Sequence, residues 1–133
     1  MGNESRTKSI LVIDDDERVL TALECFLENE GYETTTAWSG REGMDLLRSR
    51  KFDLVLLDDY LWDMDAKAIL QEIRRMAIQP LVMLTESAPT PGDLKRYAEL
   101  GAHSLVGKWA SCDEIAVAVR ECFARKALER VLV

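Results

Sequence analysis

Apolar residues fall into two alternating kinds of stretch along this chain. Short continuous runs of strand length stand at Ile10–Ile13, Leu54–Leu57 and Leu81–Leu84, and two more polar ones at Glu33–Trp38 and His103–Gly107. Between them, apolar positions recur at helical spacing. Val19, Leu20, Leu23, Phe26 and Leu27 form the first such stripe, with Gly31 as its stop. A second helix is predicted from about Arg41 to Ser49, behind Ser39 as a cap. The third carries Ile69, Leu70, Ile73 and Met76. The fourth opens with Thr90 as cap and Pro91 at its first position, and stops at Gly101. The fifth starts near Ser111 and carries Ile115, Val119, Cys122 and Phe123.

The pattern is (βα)₅, with about 20–27 residues between strand starts. Each connection is one helix long, so successive strands are expected to be parallel with right-handed crossovers. Parallel strands covered on both faces read as unbroken apolar runs. The first, third and fourth do. The second holds Thr34, Thr35 and Thr36, and the fifth holds His103 and Ser104, so these two belong at the edges. That placement gives a doubly wound α/β sheet of order 2-1-3-4-5.

Composition narrows the classes. The 133 residues suit one domain, and 24 acidic against 17 basic side chains leave a net charge of −7. That balance speaks against direct nucleic-acid binding, which needs clustered Lys and Arg. One His and three Cys exclude a His-rich zinc site, and no Ser–His–Asp triad exists except through His103. The unpaired cysteine spacing reads as free thiols, with Cys25 and Cys122 as core fillers and Cys112 as an incidental thiol near a helix start. No apolar run reaches the ~18 residues of a membrane span, and the polar stretch Met1–Ser9 lacks a signal-peptide core. The expected location is cytoplasmic.

In open parallel sheets, sites form beyond the carboxyl ends of the strands, at the switch in strand order. The first run is followed by Asp14, Asp15 and Asp16, and the third by Asp58 and Asp59. The fourth ends at Thr85 and the fifth near Lys108. At ~4 Å and an effective dielectric of 20, each carboxylate pair costs about 4 kcal/mol. Raised pKa values or a bound cation relieve that repulsion. Oxygen donors are hard, so Mg²⁺ or Mn²⁺ is the natural guest. A carboxylate beside such a cation can attack phosphorus and form an aspartyl phosphate. Lys108 and Thr85 are placed to stabilise the phosphoryl oxygens. Successive strand side chains alternate in direction, so if Asp58 points into the crevice, Asp59 is expected to point away, beyond reach of Lys108.

These residues carry a resemblance. The segments Ile10–Glu17 (ILVIDDDE), Phe52–Asp58 (FDLVLLD) and Pro80–Thr85 (PLVMLT), and Gly101 and Ala102 followed by Lys108, resemble the receiver domain of two-component response regulators. The resemblance implies a flavodoxin-like fold over residues 8–126, with residues 127–133 continuing the last helix as a tail or the start of a linker. It implies Asp58 as phosphoacceptor, and Asp14, Asp15 and the Tyr60 backbone carbonyl as further ligands to the metal. Thr85 matches the hydroxyl switch and Lys108 the phosphate-binding lysine. The implied donor is a sensor histidine kinase or a histidine phosphotransfer protein, and the chain is implied to be a signalling module and not an enzyme. Tyr97, Leu100 and Leu105 stand as the output face, through which a partner or a second copy in a homodimer would dock.

Several positions depart from the family. Trp109 stands where proline usually follows the lysine, and Leu105 where an aromatic usually stands. Trp62 and Ala66 occupy positions often held by proline and glycine, and Glu86 one usually held by a small residue. Glu86 is expected to add bulk and charge beside the site. Trp62 and Trp109 read equally as pocket walls or partner contacts. Two rival readings share these residues: a pseudo-receiver that only binds partners, and a phosphatase with an Asp nucleophile in the Asp14-x-Asp16 arrangement. The second leaves Asp58 unexplained.

Overall fold

The computed structural model describes residues 6–132, with side chains to residue 127. The elements alternate without exception: β1 (Ser9–Ile13), α1 (Glu17–Asn29), β2 (Glu33–Ala37), α2 (Gly40–Ser49), β3 (Leu54–Asp58), α3 (Ala66–Arg74), β4 (Leu81–Glu86), α4 (Pro91–Glu99), β5 (Ser104–Gly107) and α5 (Cys112–Leu132). The strands form one parallel sheet in the order β2-β1-β3-β4-β5. The threonine-rich strand and the mixed strand are its two edges, as their composition requires.

Alternation along the strands divides the core between the two faces. Leu11, Ile13, Val55 and Leu57 pack with Met44 and Leu47 of α2 and Ile69, Leu70 and Ile73 of α3. Ile10, Val12, Leu54 and Leu56 pack with Leu20, Leu23 and Leu27 of α1 and Ile115 and Val119 of α5. Every residue of β3 and β4 is buried. Each fully buried aliphatic side chain contributes about 1.5–3 kcal/mol, so these two central strands are the fixed frame for whatever sits at their ends.

Local signals set the helix ends. The Ser39 side chain accepts from Glu42 N, and Thr90 and Asp93 form a reciprocal capping box ahead of Pro91. Gly31 and Gly101 follow α1 and α4 with φ of 96° and 110°, a conformation that favours glycine. Helix α4 has no buried residue and rides on the surface, while Tyr97, Leu100 and Leu105 are half-buried against the core flank.

Four sequence expectations need correction. Met76 lies beyond α3: the helix ends at Arg74, and Met76 packs on the core from the following turn. Cys25 is exposed on α1, and only Cys122 is a buried filler. His103 precedes β5, with its Nδ1 accepting from Val82 N at 3.0 Å and its N–H donating to Val82 O at 2.7 Å. The strands β3 and β4 run one and two residues further than their apolar runs, so Asp58, Thr85 and Glu86 lie within the sheet. Within the expected tail of residues 127–133, the apolar positions Leu128 and Val131, which extend the stripe of the fifth helix in the sequence, lie outside the described side chains.

Candidate functional site

Strand register assembles the site. β1 and β3 pair Ile13 with Leu57, so the next residues, Asp14 just past β1 and Asp58 at the end of β3, stand side by side. Asp58 pairs with Thr85 on β4, and Thr85 with Val106 on β5, two residues before Lys108. The Asp59 N–H donates to Thr85 O, and the Lys108 N–H to Glu86 O. Each candidate side chain thus hangs on backbone that the central strands hold.

Asp14, Asp15 and Asp58 offer carboxylate oxygens within 4.8 Å of one another. Asp58 is 1% exposed, and Lys108 Nζ donates to its Oδ2 at 3.0 Å. The Tyr60 N–H reaches its Oδ1 at 3.4 Å. Burial pushes the Asp14 carboxyl up to about 6; the Asp16 N–H bonded to it pulls the other way, and the charge of Asp58 adds to the rise. Burial works against the Lys108 ammonium, but its hydrogen bond to Asp58 and the charges of Asp58, Asp14 and Asp15 outweigh burial and hold its pKa above the ordinary lysine value. The site therefore stores uncompensated negative charge against one ammonium.

Thr85 Oγ1 is buried and bonded to nothing. A buried hydroxyl without a protein partner costs free energy, so Thr85 Oγ1 is a donor free to meet a group at the cavity. Asp14, Asp58, Thr85 and Lys108 share the mouth of a cavity of about 160 Å³, walled by Val12, Leu56 and other apolar side chains.

Asp59 makes no ion pair with Lys108, which bonds Asp58 instead. Burial, then the charge of the adjacent Asp58, push the Asp59 carboxyl up, while the charge of Lys108 pulls the other way. The strand ends at Asp58, so alternation no longer governs where Asp59 points. It remains outside the group of three oxygens that could hold an ion. Glu86 is more deeply buried than a surface acid, and burial, followed by the nearby Asp93 carboxylate, pushes it up to about 7. It points toward the start of α4 and not into the carboxylate cluster.

Neither Trp62 nor Trp109 walls the cavity. Trp109 is 82% exposed, and Trp62 stacks on Trp38. The Trp38 contact had no signal in the sequence, because it joins two loops from non-adjacent strands. Tyr97 carries the Arg96 guanidinium over its ring at 4.7 Å.

Comparison with known proteins agrees with this geometry. The response regulator receiver domain family matches residues 10–120. The chain belongs to that family. A curated relative, the transcriptional regulatory protein AfsQ1 of Streptomyces coelicolor, is 40% identical over 77 residues, which is 58% of this chain and 34% of that protein. The match thus spans about a third of the relative's length. A CheY-like receiver domain protein of Methanospirillum hungatei superposes with a TM-score of 0.85 at 23% identity, covering 93% of this chain and 99% of the other. A receiver domain protein of Clostridium thermocellum gives 0.78 at 27% identity, covering 91% and 98%. Among the described residues, no helix is long and apolar enough to cross a membrane.

Proposed function

We propose that this receiver accepts a phosphoryl group on Asp58 from a phosphohistidine of a sensor histidine kinase or a histidine phosphotransfer protein. The observation that carries the reading is the Asp58–Lys108 contact at 3.0 Å beside two further carboxylates and an unpartnered buried hydroxyl. The three clustered carboxylates fit a hard divalent cation, Mg²⁺ or Mn²⁺, held by Asp14, Asp15, Asp58 and the Tyr60 carbonyl. Such an ion offsets charge on the carboxylates and on the incoming phosphoryl oxygens.

The chain's own residues do the rest. An Asp58 carboxylate oxygen attacks phosphorus as the phosphorus–nitrogen bond to the donor imidazole breaks, and the imidazole leaves with the bonding pair. Lys108 moves its hydrogen bond from the carboxylate to a phosphoryl oxygen, keeping its charge beside the new anion. Thr85 Oγ1 gains the partner that it lacks, as donor to a second phosphoryl oxygen. The reaction is a single group transfer that alters the chain itself, which is why the protein acts as a switch and not as a turnover catalyst.

Two features oppose the pseudo-receiver reading. The carboxylates remain close although that closeness raises Asp14, and Thr85 remains unpaired in a buried position. The test is incubation with acetyl phosphate. With Mg²⁺ the protein should gain one phosphoryl group by intact mass, and with excess chelator none. Failure to label at any Mg²⁺ concentration would favour the pseudo-receiver. Release of inorganic phosphate over many turnovers from a monoester substrate would favour the phosphatase.

A further inference from the structure

Trp38 and Trp62 are 55% and 63% exposed, although each covers one face of the other, with ring centroids 5.8 Å apart and planes 22° from parallel. The pair is built, not incidental. Trp38 precedes Ser39, the cap of α2, and Trp62 precedes Asp63, whose carboxylate accepts from Gly40 N and Arg41 N at 2.9 Å each. A side chain at Gly40 would meet Met64 Cβ at 2.9 Å, so the loop carrying Trp62 lies flush against the start of α2. The two loops are clamped, and the indoles are presented on a rigid mount.

Trp38 also walls an open groove of about 460 Å³ between α1 and α2, together with Leu20 and the carboxylates of Asp15, Glu17, Glu24 and Glu42. No basic side chain lines this groove. Arg18, on the first turn of α1, is turned to Asp16 at 3.5 Å. None of the four groove carboxylates makes an ion pair with another described residue. Only Asp15 belongs to the ion-binding group of three.

We propose that this groove and the stacked indoles are a docking surface for an arginine-bearing basic segment of a partner protein. A guanidinium is planar, weakly hydrated and attracted to the face of an indole, and carboxylates flanking that face satisfy its donors. Exposed tryptophan on a rigid mount is the side chain that most often anchors an interface. Charge selects the partner's sign. A second copy of this chain carries a net −7 and is repelled on average, although a basic groove with Lys8, Lys51 and Lys126 lies at the other end of the sheet. The proposal does not depend on phosphoryl acceptance, and Asp58→Asn should bind the segment as the wild type does.

The experiment uses amidated tetra-arginine and tetra-lysine peptides as probes, with indole N–H signals assigned by single Trp→Phe variants. Tetra-arginine should shift the Trp38 and Trp62 signals and leave Trp109 in place. It should bind more tightly than tetra-lysine, and the preference should vanish in Trp38→Ala. Glu17→Gln, Glu24→Gln and Glu42→Gln combined, all at exposed or half-exposed positions, should weaken binding at least about tenfold with an unchanged urea transition. Equal affinity for both peptides irrespective of Trp38, shifts centred on Trp109, or no binding at millimolar peptide would overturn the proposal. So would concentration-dependent dimerisation abolished by the same triple variant, which would assign the surface to a second copy.

Discussion

Lys108 and Glu86 show how single buried charges are held in this fold, and each yields a measurable outcome. The Asp58 side chain is fully buried and that of Lys108 is 21% exposed. Replacing Lys108 with Met leaves a buried carboxylate among others. The expected loss of stability without metal is about 2 kcal/mol, less than the roughly 3–5 kcal/mol of a fully buried pair, because Lys108 retains contact with water. Adding Asp58→Asn to Lys108→Met should restore most of that loss in urea unfolding. Glu86 gives a pH signature. Burial, and after it the neighbouring Asp93 carboxylate, raise its folded pKa to about 7, above its ordinary 4.5. Its folded form favours the proton, so the stability that it contributes is complete below about pH 4.5 and is lost as pH rises through 7. Glu86→Gln keeps a donor toward Asp93 without the charge. Between pH 5 and 8 the wild type should lose on the order of 2 kcal/mol more than Glu86→Gln. Parallel pH profiles for the two proteins would contradict this account of Glu86.

Helix α2 meets β1 closely at Gly43. A side chain at Gly43 would collide with Ile13 through Cδ1 and meet its Cγ1 at 2.9 Å, and both neighbours are buried. Gly43→Ala should therefore destabilise by about 1–3 kcal/mol despite the better helix propensity of alanine, read from a lower urea midpoint at unchanged slope. Most of the element order was legible in the sequence, for physical reasons. Thr34 to Thr36 mark an edge strand because a central parallel strand has no solvated face, and Ser39 and Thr90 mark helix starts because their oxygens satisfy orphan N–H groups. The misses share one cause, which is that they depend on contacts between distant segments. Met76 continues the apolar spacing of α3 after the backbone has turned, and Cys25 shares helical spacing with core residues while facing water. The Trp38–Trp62 stack joins two loops that no local pattern links. At the site, Asp14, Asp15, Asp58, Thr85 and Lys108 were legible because each follows or ends a strand, and sheet order alone brings those ends together.

The whole molecule places its stability and its chemistry in different regions. Central strands buried on both faces carry the core, while α4 has no buried residue and lies beside the end of β4 that bears Thr85 and Glu86. A segment held so lightly is the one whose position a new partner for Thr85 can bias at least cost. The output face proposed at Tyr97, Leu100 and Leu105 lies on that segment and on the adjoining edge strand. The net charge of −7 is concentrated in part at the site where a divalent cation is proposed to bind. An ion bound only by the folded state stabilises by RT ln(1 + [L]/Kd), or about 1.4 kcal/mol at ten times Kd. Mg²⁺ should raise the melting temperature of the wild type and leave that of Asp15→Asn unchanged. An equal rise in both would place the ion elsewhere.

The central claim is that Asp58, and not its close neighbour Asp59, takes the phosphoryl group. The two carboxylates are close enough that the charge of Asp58 raises Asp59, but only Asp58 sits within the cluster of three carboxylates and accepts from Lys108 Nζ. The direct measurement is intact mass after incubation with acetyl phosphate and Mg²⁺, for the wild type, Asp58→Asn and Asp59→Asn. The wild type and Asp59→Asn should each gain one phosphoryl group, and Asp58→Asn none. Labelling of Asp58→Asn at the wild-type rate, with loss of labelling in Asp59→Asn, would contradict the account.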